Sequence, residues 1–382
     1  MLKLRDKDII VNFLILACVL SNLSQLPFLV KLGVTQFLNI PIWIILFIFL
    51  LFFNKIYINK KIYMLFLGIT FVISCSFIFS LFNGKEYLNS SILRSLLISI
   101  YIYIIGIFCS DFLDKKNLEK LLLFYVISAL IVSFIIYIEY FFGKSTLSTT
   151  VYAYSSKNSI SQIIFTTIIV LIFLEHRTSN IKSLLSIVGI FFQSILLFLL
   201  RSRATIIGYF LCLIYIIFGK KSPKKIKKII FFALAISLIV VLLNQKMFDI
   251  FIYKILFAGR NFNDIDGLTS GRISILSTFP KLIEENWFTG IGSIYFECFP
   301  ISVILNFGIF IGGVILLISY SPFFYSIKNN KKTKYHTLFF LICIGYFFNS
   351  LFEGLAPIGP GVKCYFMWLM YGILQGRKNR KL

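Results

Sequence analysis

The sequence predicts an all-α integral membrane protein with about twelve transmembrane helices and one large extracytoplasmic loop. Three observations carry that prediction. Hydrophobic residues make up 59% of the chain and charged residues only 14%, against about 25% charged in ordinary soluble domains. Apolar runs of membrane length recur from one end to the other. The net charge of +23 falls mostly into alternate connectors. Helices follow from the solvent. An unpaired backbone amide is costly in hydrocarbon, and a helix satisfies its own.

A span needs about 20 mostly apolar residues. The runs that qualify are 9–30, 37–53, 62–82, 90–109, 118–142, 158–174, 183–200, 204–218, 229–243, 300–320, 335–352 and 362–375. The first follows MLKLRDKD and has no small-residue cleavage site. It reads as a membrane helix, not as a removed leader. Residues 1–382 are taken as a single polytopic domain.

Charge sets the orientation. With the N-terminus inside and sides alternating, the inner connectors hold 25 of the 38 lysines and arginines, including six lysines in GKKSPKKIKK (219–228). This meets the positive-inside rule and predicts both termini in the cytoplasm. The basic balance is then accounted for by anionic membrane lipid, without nucleic acid. The loop 244–299 lies outside and has about 56 residues. Loops beyond ~15 residues are functional or disordered. Apolar residues recur in this one, so it is expected to fold. Its stretch 273–288 is expected to form a short amphipathic helix on the membrane surface, broken at Pro280.

Seven cysteines are scattered without a CxxC pair, and His176 and His336 stand beside basic connectors. That pattern gives no disulfide or zinc signature and no cofactor or metal site.

Chemistry must therefore come from arginines and carboxylates. Arg201 and Arg203, in LLRSRATIIGY, fall on the outer side, where basic residues are disfavoured. They either snorkel to the interface or bind an anion, for which guanidinium forks are suited. Arg272 follows Thr-Ser-Gly in the long loop, and Arg94 opens the fourth span; each is an anion ligand or a surface charge. Arg260 is the weaker loop arginine. Glu297, in SIYFECFP, stands where the long loop re-enters the membrane. It is either a general base or a carboxylate held at a helix N-terminus. Glu353, in NSLFEGLAPIGPG, is a second candidate base or a loop carboxylate. Asp264, Asp266, Glu284 and Glu285 read as solvated loop charges, and Glu139 as an interfacial group. Gly290 and Gly292 allow a tight backbone turn with close approach. Gly359-Pro360-Gly361 marks a stiff turn.

Three segments resemble the O-antigen ligase and polymerase (Wzy-type) superfamily of bacterial polysaccharide assembly. They are RSRATIIGYF (201–210), SGRISILSTFPKLIEENWFTGIGSIYF (270–296), and the stretch through Asn306-Phe307-Gly308, which is similar to the family's helix start. Ligases of the family tend to carry a His about eleven residues before that glycine. Here the position is Glu297, so the resemblance favours the polymerase branch. SLFEGLAPIGPGVK also resembles polymerases of Gram-positive capsule clusters.

The resemblance implies a metal-independent glycosyltransferase of the bacterial cytoplasmic membrane. Its substrates would be undecaprenyl-diphosphate-linked oligosaccharide repeat units, joined on the outer face. Arg201, Arg203, Arg272 and Arg94, with Gly290 and Gly292, would surround the diphosphate. Glu297 or Glu353 would activate the acceptor hydroxyl. A chain-length regulator and a flippase would be partners. An O-antigen-type ligase and a lipid-linked oligosaccharide flippase or other transporter are the alternatives. Few mid-span charges and no internal repeat argue against the transporter.

Overall fold

Apolar runs become helices, and small polar residues end them. Ser90 caps one helix by accepting from Leu93 N at 3.2 Å, and Asp114 caps another by accepting from Asn117 N at 2.7 Å. The computed structural model describes residues 4–53, 60–88, 90–143, 154, 156–174, 180–219, 227–228, 231, 242–256, 272–292, 294–330, 332–359 and 361–378. The principal helices are α1 Leu4–Leu23, α2 Thr35–Phe53, α3 Lys60–Asn83, α4 Ser91–Cys109, α5 Lys115–Ile136, α6 Lys157–Leu174, α7 Asn180–Leu199 and α8 Arg203–Phe218. After the long connector come α9 Arg272–Asn286, α10 Phe299–Asn329, α11 Lys334–Ser350 and α12 Tyr365–Lys378. There is no strand among the described residues.

Among the described residues, five helices are long and apolar enough to cross a membrane: Ile62–Asn83, Ser91–Cys109, Lys115–Phe141, Lys157–Leu174 and Phe299–Asn329. Asn39–Phe52, Leu185–Leu199 and Arg203–Phe218 are apolar but shorter. The chain is an all-α membrane protein, and the described residues alone do not reach the count of twelve spans. The physical reason is length. Helix α11 has 17 residues and α12 has 14, or roughly 25 Å and 21 Å at 1.5 Å per residue, against a hydrocarbon core of about 30 Å. The apolar run 229–243 lies almost wholly outside the described residues.

Packing uses small residues where backbones meet. Helices α4 and α12 run parallel. Gly106 faces Gly372, and a Cβ on Gly106 would come within 2.5 Å of the Leu369 carbonyl. Gly376, one turn beyond Gly372, lies against Ser110. This is the small-xxx-small contact through which membrane helices gain close van der Waals packing. Tyr103 and Tyr371 stack beside it at 4.7 Å. Helices α6 and α8 both run antiparallel to α11. Thr166 of α6 meets Tyr346 at 3.3 Å. Thr205 of α8 meets Asn349, and Cys212 meets the Leu341 carbonyl.

The bundle therefore has two ends, with α11 running from one to the other. At the first, Lys7 pairs with Asp114 at 3.3 Å, Arg377 donates to the Leu113 carbonyl at 2.6 Å, and Lys334 pairs with Glu119 at 2.9 Å. The beginning of α1 and the end of α12 thus share the Asp114 end. At the second lie the start of α6, the α7–α8 turn, the end of α11 and the segment 351–364.

One sequence expectation changes here. Helix α9 runs unbroken through Pro280. The ring removes one donor, the partner of the Leu276 carbonyl, on a stretch where Leu276 is exposed. The real break is at Gly308, where φ is 74° and ψ 176° inside α10. Asn306-Phe307-Gly308 thus stands where one helix ends and the next begins, in keeping with the helix start expected there. The segment after α9 closes the gap. Ile291 N donates to Leu305 O at 2.7 Å, Gly292 N to Asn306 O at 3.2 Å, and Ile309 N to Trp287 O at 2.8 Å. The Asn306 side chain accepts from Ile294 N at 2.6 Å and donates to Ile294 O at 2.7 Å. These bonds give partners to backbone groups that the break frees, the condition under which irregular backbone is tolerated in an apolar bundle.

Candidate functional site

The chain turns from α7 into α8 at residues 200–202. Arg201 has φ 53° there, the one positive-φ residue other than glycine among the described residues. Such a backbone costs of order 1–3 kcal/mol and persists only where the surroundings dictate it. Arg201 is 4% exposed, whereas Arg203 is half-buried. An arginine sunk this deep in an apolar bundle is by default a functional group.

Hydrogen bonds tie this turn to two other helices. Ser202 Oγ donates to Asn158 Oδ1 of α6 at 3.3 Å and lies 3.0 Å from Thr205 Oγ1. Thr205 donates to Asn349 Oδ1 of α11 at 3.0 Å, and Asn349 Nδ2 donates to the Gly345 carbonyl. Asn158 is exposed, so this network reaches the surface.

Beside this network, between α6 and the segment that follows α11, lies an ion pair. Gln162 follows Asn158 by four residues on one face of α6, and Glu353 lies three residues beyond the end of α11. Glu353 Oε2 accepts from Lys363 Nζ at 2.8 Å and from Gln162 Nε2 at 3.0 Å. Glu353 is 7% exposed and Lys363 3%. Among the described residues no donor reaches Glu353 Oε1 or Gln162 Oε1. Lys363 is held from its own backbone, since Tyr346 Oη donates to its carbonyl. The intervening turn is fixed as well. Trp368 Nε1 donates to the Pro357 carbonyl at 3.0 Å, and Ser99 Oγ of α4 to the Ile358 carbonyl at 2.7 Å.

The second candidate base approaches the first through the backbone. Glu297 is half-buried just before α10. Its predecessor Phe296 presents its carbonyl to Gly354, where any side chain would collide with it. The segments bearing Glu297 and Glu353 therefore touch at Phe296 and Gly354.

The remaining sequence candidates divide. Arg94 sits exposed in the first turn of α4, five residues before Ser99. Arg272 opens α9, and its side chain, like all of Arg260, lies outside the described residues. Gly290 and Gly292 have φ 76° and 100°. Their close approaches are to the broken backbone of α10 at Asn306–Gly308 and to Lys85. Lys85 Nζ in turn donates to the Gly290 carbonyl at 3.0 Å. Glu139 forms an exposed ion pair with Lys31 at 2.6 Å, and Glu284 and Glu285 are exposed. Tyr154 lies nearby, packed on Tyr140, and burial pushes its hydroxyl up to about 12.

Sequence reasoning missed Lys363 and Gln162. The argument that singled out Arg201 applies equally to Lys363, a lone basic residue opening an apolar run on the same side. Gln162 is signalled by the four-residue polar spacing Asn158, Gln162, Thr166 in an otherwise apolar helix.

A model of the O-antigen ligase family, Wzy_C, matches residues 188–346. No curated protein and no solved structure matches the chain. The matched stretch contains Arg201, Arg203, Arg272, Gly290, Gly292 and Glu297, and it stops short of Glu353 and Lys363. Residues 188–346 form a Wzy_C domain of the O-antigen ligase family, and that domain supports membership of the chain in the Wzy/O-antigen ligase superfamily.

Proposed function

We propose that this chain is a polysaccharide polymerase that joins undecaprenyl-diphosphate-linked oligosaccharide repeat units on the outer face of the bacterial cytoplasmic membrane. The observation that supports the reading most is the pairing of a buried, strained Arg201 with a buried Glu353–Lys363 pair at one end of an apolar bundle. In this reading the Asp114 end is cytoplasmic, the Arg201 end faces out, and shorter helices join the five long ones in a topology of about twelve spans.

The chemistry follows from the leaving group. An acceptor hydroxyl oxygen attacks the anomeric carbon of the growing chain, and the bond from that carbon to the lipid diphosphate breaks. The diphosphate departs with added negative charge. Arg201, Arg203, Arg272 and Arg94 stabilise it as fixed cations, in place of a metal. The hydroxyl proton passes to Glu297 or Glu353. A chain-length regulator and a flippase are the expected partners.

The description of the matched family favours a second reading, transfer of finished polymer by a ligase. Glu297 at the expected His position favours polymerisation. A deletion strain separates the two. Loss of a polymerase collapses the polymer ladder to single repeat units. Loss of a ligase leaves the ladder intact but unattached. Restoration of the ladder by the wild-type chain and not by Arg272→Ala, at matched protein level, supports the proposal; an Arg272→Ala ladder of wild-type length contradicts it.

A further inference from the structure

The buried pair at the Arg201 end has no role in packing that leucines would not serve better. Ion pairs taken out of water rarely repay their desolvation, yet removing one partner is strongly destabilising. A site that must bind a diphosphate, release it and wait empty has a specific use for such a pair. Its cations need an anion at every stage of the cycle. We infer that Lys363 is a further ligand of the diphosphate and that Glu353 is the anion that holds it between substrates. The inference rests on the diphosphate reading proposed above.

Three features fit the exchange. Lys363 is a point charge on a flexible four-carbon stem, whose backbone carbonyl is held by Tyr346. It follows Gly359-Pro360-Gly361 and sits in the short turn Gly361–Cys364, outside α12. Glu353 keeps a second donor at Oε2, Gln162 Nε2 at 3.0 Å, so it stays oriented when the lysine leaves. Its Oε1 already stands without a donor among the described residues. On binding, the Lys363 ammonium passes from Glu353 Oε2 to a phosphoryl oxygen, with no bond made or broken. The freed carboxylate then faces the acceptor hydroxyl. When undecaprenyl diphosphate leaves, the ammonium returns. Substrate binding itself thus uncovers the base.

The test is binding of undecaprenyl diphosphate to the full chain in nanodiscs. Undecaprenyl phosphate and phosphatidylglycerol serve as controls for phosphate number and for headgroup attraction. Lys363→Met is expected to weaken binding about tenfold. Glu353→Gln removes the competing anion and is expected to tighten binding about tenfold while polymerisation is lost. The double variant Glu353→Gln/Lys363→Met, which leaves no lone buried charge, is expected to bind more tightly than Lys363→Met alone. A purely structural pair predicts that Glu353→Gln and Lys363→Met weaken binding alike. That result overturns the inference and leaves the polymerase reading standing. An equal response to phosphatidylglycerol also overturns it, in favour of a headgroup anchor. Absence of undecaprenyl diphosphate binding by the wild-type chain overturns the diphosphate reading itself.

Discussion

The two ends of the bundle carry charge in opposite ways. At the Asp114 end the ion pairs lie open: the Lys7 and Asp114 side chains are 33% and 52% exposed, and those of Lys334 and Glu119 are 31% and 28% exposed. At the Arg201 end the Lys363 and Glu353 side chains are 3% and 10% exposed. Open pairs contribute about 0–1 kcal/mol and cost little to build. They set orientation by their number. A buried pair is expensive to build, and its presence calls for a task beyond stability. The difference teaches where to look in a membrane enzyme: at the end with few charges that are hidden, not at the end with many that are seen.

Substitutions can break this contrast. The largest effect is expected at Gly308. Its φ of 74° with ψ of 176° is open essentially to glycine alone, and a Cβ there would collide with the Phe288 carbonyl. Gly308→Ala should cost about 3 kcal/mol or more and be read as loss of monodisperse protein on gel filtration. Lys363→Met comes next, at about 3 kcal/mol, because it leaves Glu353 buried without its cation. The double variant with Glu353→Gln should recover most of that loss in a thermal melt. Lys334→Met, the matching change at the other end, should shift the same melt by less than about 1 kcal/mol. If the two lysine substitutions cost the same, the contrast between the ends is wrong.

Asp114 sharpens the comparison by pH. The Asn117 amide, and after it Lys7, hold its carboxyl below the usual aspartate range. The folded value is depressed, so the stabilisation is complete above the ordinary value near ~3.9 and is lost as pH falls through the folded one. Asp114→Ala should cost about 1 kcal/mol at neutral pH, as for a lost helix cap. The difference from wild type should vanish in strong acid. No such acid limb belongs to the open Asp114 end if the difference persists there.

Much of the fold is legible in the hydropathy and charge of the chain, because lipid imposes one rule on every residue of a span. The α7–α8 turn at 201–203 and the exposure of Glu284 and Glu285 follow from it. The break in α10 does not. Asn306-Phe307-Gly308 reads as a helix start only through its family resemblance, and its conformation is held by hydrogen bonds with Trp287, Ile291, Gly292 and Ile294. Pro280 misleads in the other direction, since a helix survives the loss of one donor. Part of the site is legible as residue types, namely Arg201 as a basic residue where the charge pattern disfavours one and Glu353 as a carboxylate beside an apolar run. Its wiring is not, because Gln162 and Glu353 stand 191 residues apart and meet only through helix packing.

The central claim is that the buried cations of the Arg201 end serve glycosyl transfer from a lipid diphosphate. The direct measurement uses the lipid-linked oligosaccharide that accumulates in a deletion strain, incubated with the purified chain in nanodiscs. The account predicts a ladder of polymer from the wild-type chain and about 100-fold less product from Arg201→Ala at equal folded protein. A ladder of equal rate and length from Arg201→Ala would contradict it.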